Sequence, residues 1–188
     1  MRQASVHEEV AGRRFRVSAG SFFQSGPVVA EALTRAVSAA AGEALGPGGH
    51  LVDLYAGVGL FASVLGARRG ARVTAVERPG PALGDARVNL ADLDASVVAS
   101  EVGRWHAGAG RADVVVADPA RPGLGRPGVQ AVARLAPPRL VLVSCDPASL
   151  ARDVVLLRTA GFRLCALDLV DAFSDTFHVE AVATFDRG

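Results

Sequence analysis

"HLVDLYAGVGLF", residues 50–61, decides how the rest of the chain is read. Residues 50–55 are a short apolar run of the kind that forms a buried strand. Gly57 and Gly59 interrupt it, and residues 57–69 read as a helix. A strand that turns through glycines into a helix is half of a βαβ unit. Glycine allows the tight turn and lets the backbone approach a ligand closely. The plainer reading of the pair is a tight strand–helix turn that binds nothing.

The same alternation continues in both directions. Downstream, residues 71–76 read as a strand, 81–93 as a helix, 96–100 as a short strand and 112–117 as a strongly buried strand. Residues 123–128 read as a loop, followed by a short helix to Ala136. Residues 139–144 form a strand, 147–159 a helix with Pro147 at its start, and 162–170 and 178–185 two last strands. Upstream, residues 27–44 are alanine-rich with apolar residues at helical spacing, and Pro27 suits a first helical turn. Residues 6–17 suit a hairpin or strand leading into the domain.

Strands alternating with helices imply a mostly parallel sheet with helices on both faces. The link between the last two strands is too short for a crossover helix, so that pair is expected to be an antiparallel hairpin. The expected fold is therefore α/β and Rossmann-like: a mostly parallel sheet ending in an antiparallel hairpin, the plan of the class I S-adenosylmethionine-dependent methyltransferases. Open sheets of this type bind ligands at the C-terminal ends of their strands. Asp53, Glu77, Asp118 and Cys145 all fall at or just past such ends.

Composition narrows the class. The chain has 188 residues and 50% are hydrophobic, which suits one catalytic domain over residues 1–188, with 1–20 leading into it. A net charge of +1 announces neither nucleic acid nor membrane. All 20 basic residues are arginine, a bias that identifies no partner by itself. Cys145 and Cys165 lie too far apart for a local metal motif, and no metal is expected. Two cysteines and no visible secretory signal fit a reducing cytoplasm, and no segment has the length and apolarity of a membrane span.

Glu77 ends the strand "VTAVE", residues 73–77. A carboxylate there can accept hydrogen bonds from both ribose hydroxyls of a nucleoside cofactor. The plainer reading is a surface glutamate. With the glycine turn it favours a nucleoside cofactor. The D-x-x-x-G-x-G spacing of Asp53, Gly57 and Gly59, where a dehydrogenase would show G-x-G-x-x-G, favours S-adenosylmethionine over NAD.

Further motifs carry a resemblance. "SFFQSG" (21–26), "DPAR" (118–121), "SCDPASLARD" (144–153) and "HVE" (178–180) occur in that order around the glycine loop. The chain thereby resembles the RNA 5-methyluridine (uridine-C5) methyltransferase family, whose members methylate carbon 5 of uridine in transfer or ribosomal RNA. The resemblance runs from about Phe15 to Arg187. It implies that Gln24 touches S-adenosylmethionine, that Tyr55, Gly57, Gly59 and Leu60 line it, and that Glu77 holds its ribose. It implies that Asp118 lies beside cofactor and base, that Cys145 is the nucleophile and that Glu180 is the general base. Departures are Ala120 for the second proline of a usual D-P-P-R, Ala56 where cysteine is common, and Ser174 for the proline of F-P-x-T. The family's N-terminal RNA-binding barrel and cluster-binding cysteines are expected to be absent.

The chemistry requires these groups. Carbon 5 of uracil is a poor nucleophile. A thiolate adding at carbon 6 makes the ring an enolate, and carbon 5 can then take the methyl group. A base must next remove the carbon-5 proton so that the thiolate can leave. A free thiol titrates near ~8.5, so a positive charge or helix N-terminus must favour the thiolate. The helix starting near Pro147, and Arg152 within it, are the expected sources. Cys165, in an apolar strand, reads as buried filling. Trp105, Phe22 and Phe23 read as core before base-stacking platforms, and Arg121 and Arg126 as loop cations equally suited to solvent or RNA phosphate. Two other functions stay open: methylation of another nucleic-acid position such as cytosine C5, and a non-catalytic cofactor-binding RNA adaptor. A cytosine enzyme would be expected to show Pro-Cys where this chain has Ser144-Cys145.

Overall fold

The computed structural model describes residues 4–107, 111–172 and 179–188. A hairpin of β1 (Ser5–Val10) and β2 (Arg13–Ser18) is followed by α1 (Pro27–Ala41), β3 (His50–Leu54), α2 (Leu60–Arg69), β4 (Arg72–Glu77) and α3 (Pro81–Asn89). Then come β5 (Ala95–Ala99), β6 (Val114–Ala117), α4 (Gly125–Leu135), β7 (Arg139–Ser144), α5 (Pro147–Thr159), β8 (Phe162–Val170) and β9 (Glu180–Arg187). β3 to β9 form a seven-stranded sheet in the order β5-β4-β3-β6-β7-β9-β8. The first five in that order run parallel, while β9 pairs antiparallel with both β7 and β8. The expected terminal hairpin is present, and chain order reverses between β3 and β6. That switch point is where an open parallel sheet leaves a crevice.

The period-two alternation of each strand divides the core. Leu51, Val73, Val114, Val116, Val141 and Val143 face one way, in one cluster with Leu33 and Val37 of α1 and Phe61 and Leu65 of α2. Val52, Leu54, Val115, Leu140 and Leu142 face the other way, with Val129 and Val132 of α4 and Leu150 and Leu157 of α5. Asp53 shares its parity with Leu51, so it puts a carboxyl into the first of these layers.

Two expectations are corrected. The helix after β6 begins at Gly125, inside the stretch read as a loop, because Pro127 falls in its first turn, where no intrahelical N–H is needed. Cys165 is exposed instead of buried. β8 is the sheet's edge, and Leu164, Leu167 and Leu169 on it are exposed as well. The Cys165 thiol points to the Arg163 carbonyl at 3.3 Å and to Asp186 Oδ2 at 3.4 Å. Trp105 packs against the second core cluster as expected. The aromatic pair at 22–23 divides: Phe23 packs near Phe15 with centroids 6.0 Å apart, while Phe22 is 72% exposed. Among the described residues no helix is long and apolar enough to cross a membrane.

Candidate active site

The site is built where β3, β4, β6 and β7 end. After β3 the chain turns through Tyr55, whose φ of 62° is a left-handed value that costs a bulky residue energy. Gly57 and Gly59 follow at φ 56° and 86°. These values lie outside the helical region, which is why α2 starts at Leu60 and not at Gly57. The turn is fixed by Ala56 N–H donating to the Val76 carbonyl at 3.1 Å and Gly59 N–H to the Ala56 carbonyl at 2.8 Å. A Cβ on Gly59 would sit 3.2 Å from Leu90, whereas one on Gly57 would meet nothing within 4 Å. Gly57 therefore borders open space, and Gly59 is needed for close packing.

Glu77, the last residue of β4, accepts the Gly57 N–H on Oε2 at 2.8 Å. Asp53 is fully buried, and its Oδ2 accepts the Ala62 N–H at 2.9 Å. Its Oδ1 is buried without a hydrogen-bond partner. Burial, with Glu77 adding a smaller contribution, pushes the Asp53 carboxyl up to about 7. The Tyr55 side chain does not stand over the glycine turn: its hydroxyl reaches α4, where a Cβ on Gly128 would come within 2.8 Å of it. Leu60 is buried in the first core cluster, so only its backbone can face a ligand.

Asp118 follows β6, and its N–H donates to the Leu54 carbonyl at 3.3 Å. Gln24 Nε2 donates to Asp118 Oδ2 at 3.3 Å, which joins the segment before α1 to the strand ends. Burial, then Glu180 and Asp53, push Asp118 up to about 8. When it holds its proton it can donate as well as accept.

Strand register brings Cys145 and Glu180 to the same end of two neighbouring strands. β7 and β9 run antiparallel with Ser144 opposite Ala181. The pairing ends there, so Cys145 and Glu180, the first residue of β9, are the residues next past the last β7–β9 pair. Cys145 is half-buried and Glu180 is 6% exposed. The strand stops because Asp146 caps α5, its Oδ2 accepting the Ser149 N–H at 2.7 Å, with Pro147 in the first turn. Burial and then Glu180 raise the Cys145 thiol, while Arg121 works against the rise. Burial also raises Glu180. Arg121 of "DPAR" is the cation that favours the Cys145 thiolate, whereas Arg152 acts on Asp146. His178 of "HVE" lies outside the described residues.

α3 adds two residues that no motif singled out. Asn89 Nδ2 donates to the Val58 carbonyl of the glycine turn at 2.9 Å and to the Arg16 carbonyl at 3.0 Å. Its Oδ1 accepts the Arg16 N–H at 2.8 Å. One side chain thus ties the N-terminal hairpin to the glycine turn. One turn earlier, Asp85 accepts from Ser18 N–H and Oγ, Ser21 Oγ and Arg16. That carboxylate anchors the start of the "SFFQ" segment carrying Gln24. The i, i+4 spacing of Asp85 and Asn89 placed two polar groups on one helix face, which was the available signal. Asn89→Ala would remove the side-chain partner of the buried Val58 carbonyl and of the part-buried N–H and carbonyl of Arg16. It is expected to lower the unfolding free energy by about 2–4 kcal/mol in urea titration. A loss under about 0.5 kcal/mol would mean that water replaces the amide.

No family model matches the chain. Among solved structures, it superposes on a tRNA (uracil-54, C5)-methyltransferase from Pyrococcus abyssi, solved with S-adenosyl-L-homocysteine. The TM-score is 0.82 at 32% identity, over 96% of this chain and 44% of that one. The chain has the class I methyltransferase fold. A tRNA m1G37 methyltransferase from M. jannaschii shares the fold alone, with TM-score 0.72 at 12% identity over 100% of this chain and 58% of that one. Among curated proteins, the chain is 38% identical over 193 residues to an uncharacterized RNA methyltransferase of Streptomyces avermitilis. That match covers 98% of this chain and 43% of the relative, so the chain spans less than half of its length.

Proposed function

We propose that this chain is the catalytic part of an S-adenosylmethionine-dependent RNA methyltransferase, and that its target is carbon 5 of a uridine. The observation that carries the reading is that Cys145 and Glu180 are each the next residue past the last β7–β9 pair, Ser144 with Ala181, at the ends of neighbouring strands. Similarity to a tRNA uracil-C5 enzyme and to RNA methyltransferases supports it.

The residues suit the cofactor. Gly57 borders open space, Asp53 Oδ1 lacks a partner, and Glu77 ends β4 as a ribose carboxylate would. Gln24 and Asp118 close the other side, and Tyr55, Gly59 and Leu60 supply the turn's backbone. When bound, the cofactor supplies the methyl group that carbon 5 accepts. Cys145 does the rest of the activation: its thiolate forms a bond to carbon 6, and the electron pair of the 5,6 double bond moves onto the ring carbonyl. Glu180 then takes the proton from carbon 5, the double bond re-forms and the thiolate leaves. Asp118, held by Gln24, can donate to a carbonyl oxygen of the base when protonated.

Nucleoside mass spectrometry after incubation with undermodified tRNA or rRNA and labelled S-adenosylmethionine tests the reading. 5-Methyluridine is the expected product, and 5-methylcytidine in its place would reassign the base. Removing the Glu77 carboxylate loses a charged acceptor for the ribose and the Gly57 N–H together. Glu77→Ala is therefore expected to weaken S-adenosylhomocysteine binding about 10- to 100-fold by calorimetry. Unchanged affinity, or a preference for NAD, would sink the assignment of this cleft.

A further inference from the structure

A carboxylate in the middle of a helix normally faces water, because burying it unpaired is costly. Asp153, in the middle of α5, is 2% exposed. Its Oδ2 accepts the Leu124 N–H at 2.6 Å and its Oδ1 the Gly125 N–H at 2.9 Å. These amides open α4, whose own N-cap residue, Leu124, makes no side-chain cap hydrogen bond. Asp153 caps α4 from α5, where a negative charge also suits the helix dipole. The fit is close. Gly123 has φ 78°, and a Cβ on it would lie 2.4 Å from Asp153 Oδ2. Gly123 N–H in turn closes on the Ala120 carbonyl at 2.8 Å. The turn is therefore held at its start by Asp118, through Leu54 and Gln24, and at its end by Asp153. Arg121 lies between the two anchors.

We propose that Asp153 is a positioning residue that pins the turn after Asp118 to the helix following Cys145, and so sets where Arg121 stands relative to the thiol. The proposal rests on the reading of Cys145 as the nucleophile. It adds a link between "DPAR" and "LARD" that neither motif carries by itself. Arg121 is exposed, so burial does little to fix its guanidinium. Only the turn's anchors limit where it can reach.

The test is the pH dependence of Cys145 alkylation by iodoacetamide in the full chain, resolved from Cys165 by peptide mass spectrometry. It uses neither RNA nor cofactor, so it can fail while methyl transfer succeeds, and the reverse. Asn in place of Asp153 offers one oxygen where two amides need acceptors. Asp153→Asn is expected to slow Cys145 alkylation about threefold near neutral pH and to move its pH profile upward. Arg121→Ala should do the same, and the double variant should be no slower than Arg121→Ala alone. Gly123→Ala, which pushes the same turn from the other side, should reproduce Asp153→Asn and serves if that variant fails to fold. An unchanged profile in folded Asp153→Asn overturns the proposal. So does an additive double variant. An Arg121→Ala profile identical to that of the unaltered protein overturns it independently of any folding defect.

Discussion

Cys145→Ala is expected to make no 5-methyluridine and no covalent RNA adduct, while Glu180→Gln is expected to accumulate a methylated adduct that survives denaturing electrophoresis. Removing the nucleophile takes away the only route proposed here for activating carbon 5, so the loss should be on the order of 10⁴-fold or more. Glu180 enters later. With glutamine in its place, Cys145 can still add and carbon 5 can still accept the methyl group. The carbon-5 proton then stays on, and the Cys145–carbon 6 bond cannot break. Glutamine keeps the shape of a side chain that is only 6% exposed, and burial already disfavours the carboxylate there, so the substitution should leave the fold intact. The wild-type rate should rise with pH on the acid side, because Cys145 and Glu180 must both be deprotonated and both are raised by burial. Normal turnover by Glu180→Gln, or 5-methyluridine from Cys145→Ala, would remove these residues from the roles given to them. An inactive Glu180→Gln without adduct would instead place Glu180 before the methyl step.

The order of strands and helices was legible because each element announces its own ends. Pro147 starts α5, and the bounds of β7, α5 and β8 agree with the sequence pattern residue for residue. The antiparallel end of the sheet followed from a link too short to cross over. Burial of Cys165 was misread because it depends on where β8 lies in the sheet, and a local pattern does not say which strand is the edge. The start of α4 was misread because two glycines and a proline look like a loop, while the group that caps the helix lies 29 residues away at Asp153. Asn89 was missed for the same reason, with one partner 73 residues away and another 31. Cys145, Asp118, Glu77 and the glycine turn were picked out as strand-end residues. The link from Cys145 to Glu180, however, came from motif resemblance, and the β7–β9 pairing ends one residue short of both, at Ser144 and Ala181. Assigning the cation that favours the thiolate to Arg121 instead of Arg152 needed tertiary structure, since position on a helix following the thiol does not fix which charge it feels.

Asp53→Asn is expected to stabilise the ligand-free protein above neutral pH, and by progressively less as pH falls towards about 4. Asp53 is fully buried, with one oxygen bonded to the Ala62 N–H and the other without a partner. Burial pushes its carboxyl up to about 7, against about 3.9 in an unfolded chain. Between those values the folded state holds a proton that the unfolded state has released. The slope of unfolding free energy with pH is therefore negative there. The stability is fully present below about pH 4 and is lost as pH rises through about 7, by roughly 4 kcal/mol in total. Asparagine can still accept the Ala62 N–H and has no charge to bury, so it escapes the loss. Asp118 runs in the same direction, and part of its rise comes from Asp53, so the substitution should also flatten that contribution. Urea unfolding at about pH 5 and about pH 8.5 should show the variant ahead by roughly 1.5 kcal/mol at the lower value and by roughly 4 kcal/mol at the higher. Parallel pH curves would mean that solvent reaches Asp53 after all. Saturating S-adenosylhomocysteine supplies the functional half of the test. If the unpartnered Asp53 oxygen is kept for that ligand, its addition at about pH 8.5 should stabilise the wild type more than the variant, because only the wild type gains a partner for a charge it already holds buried.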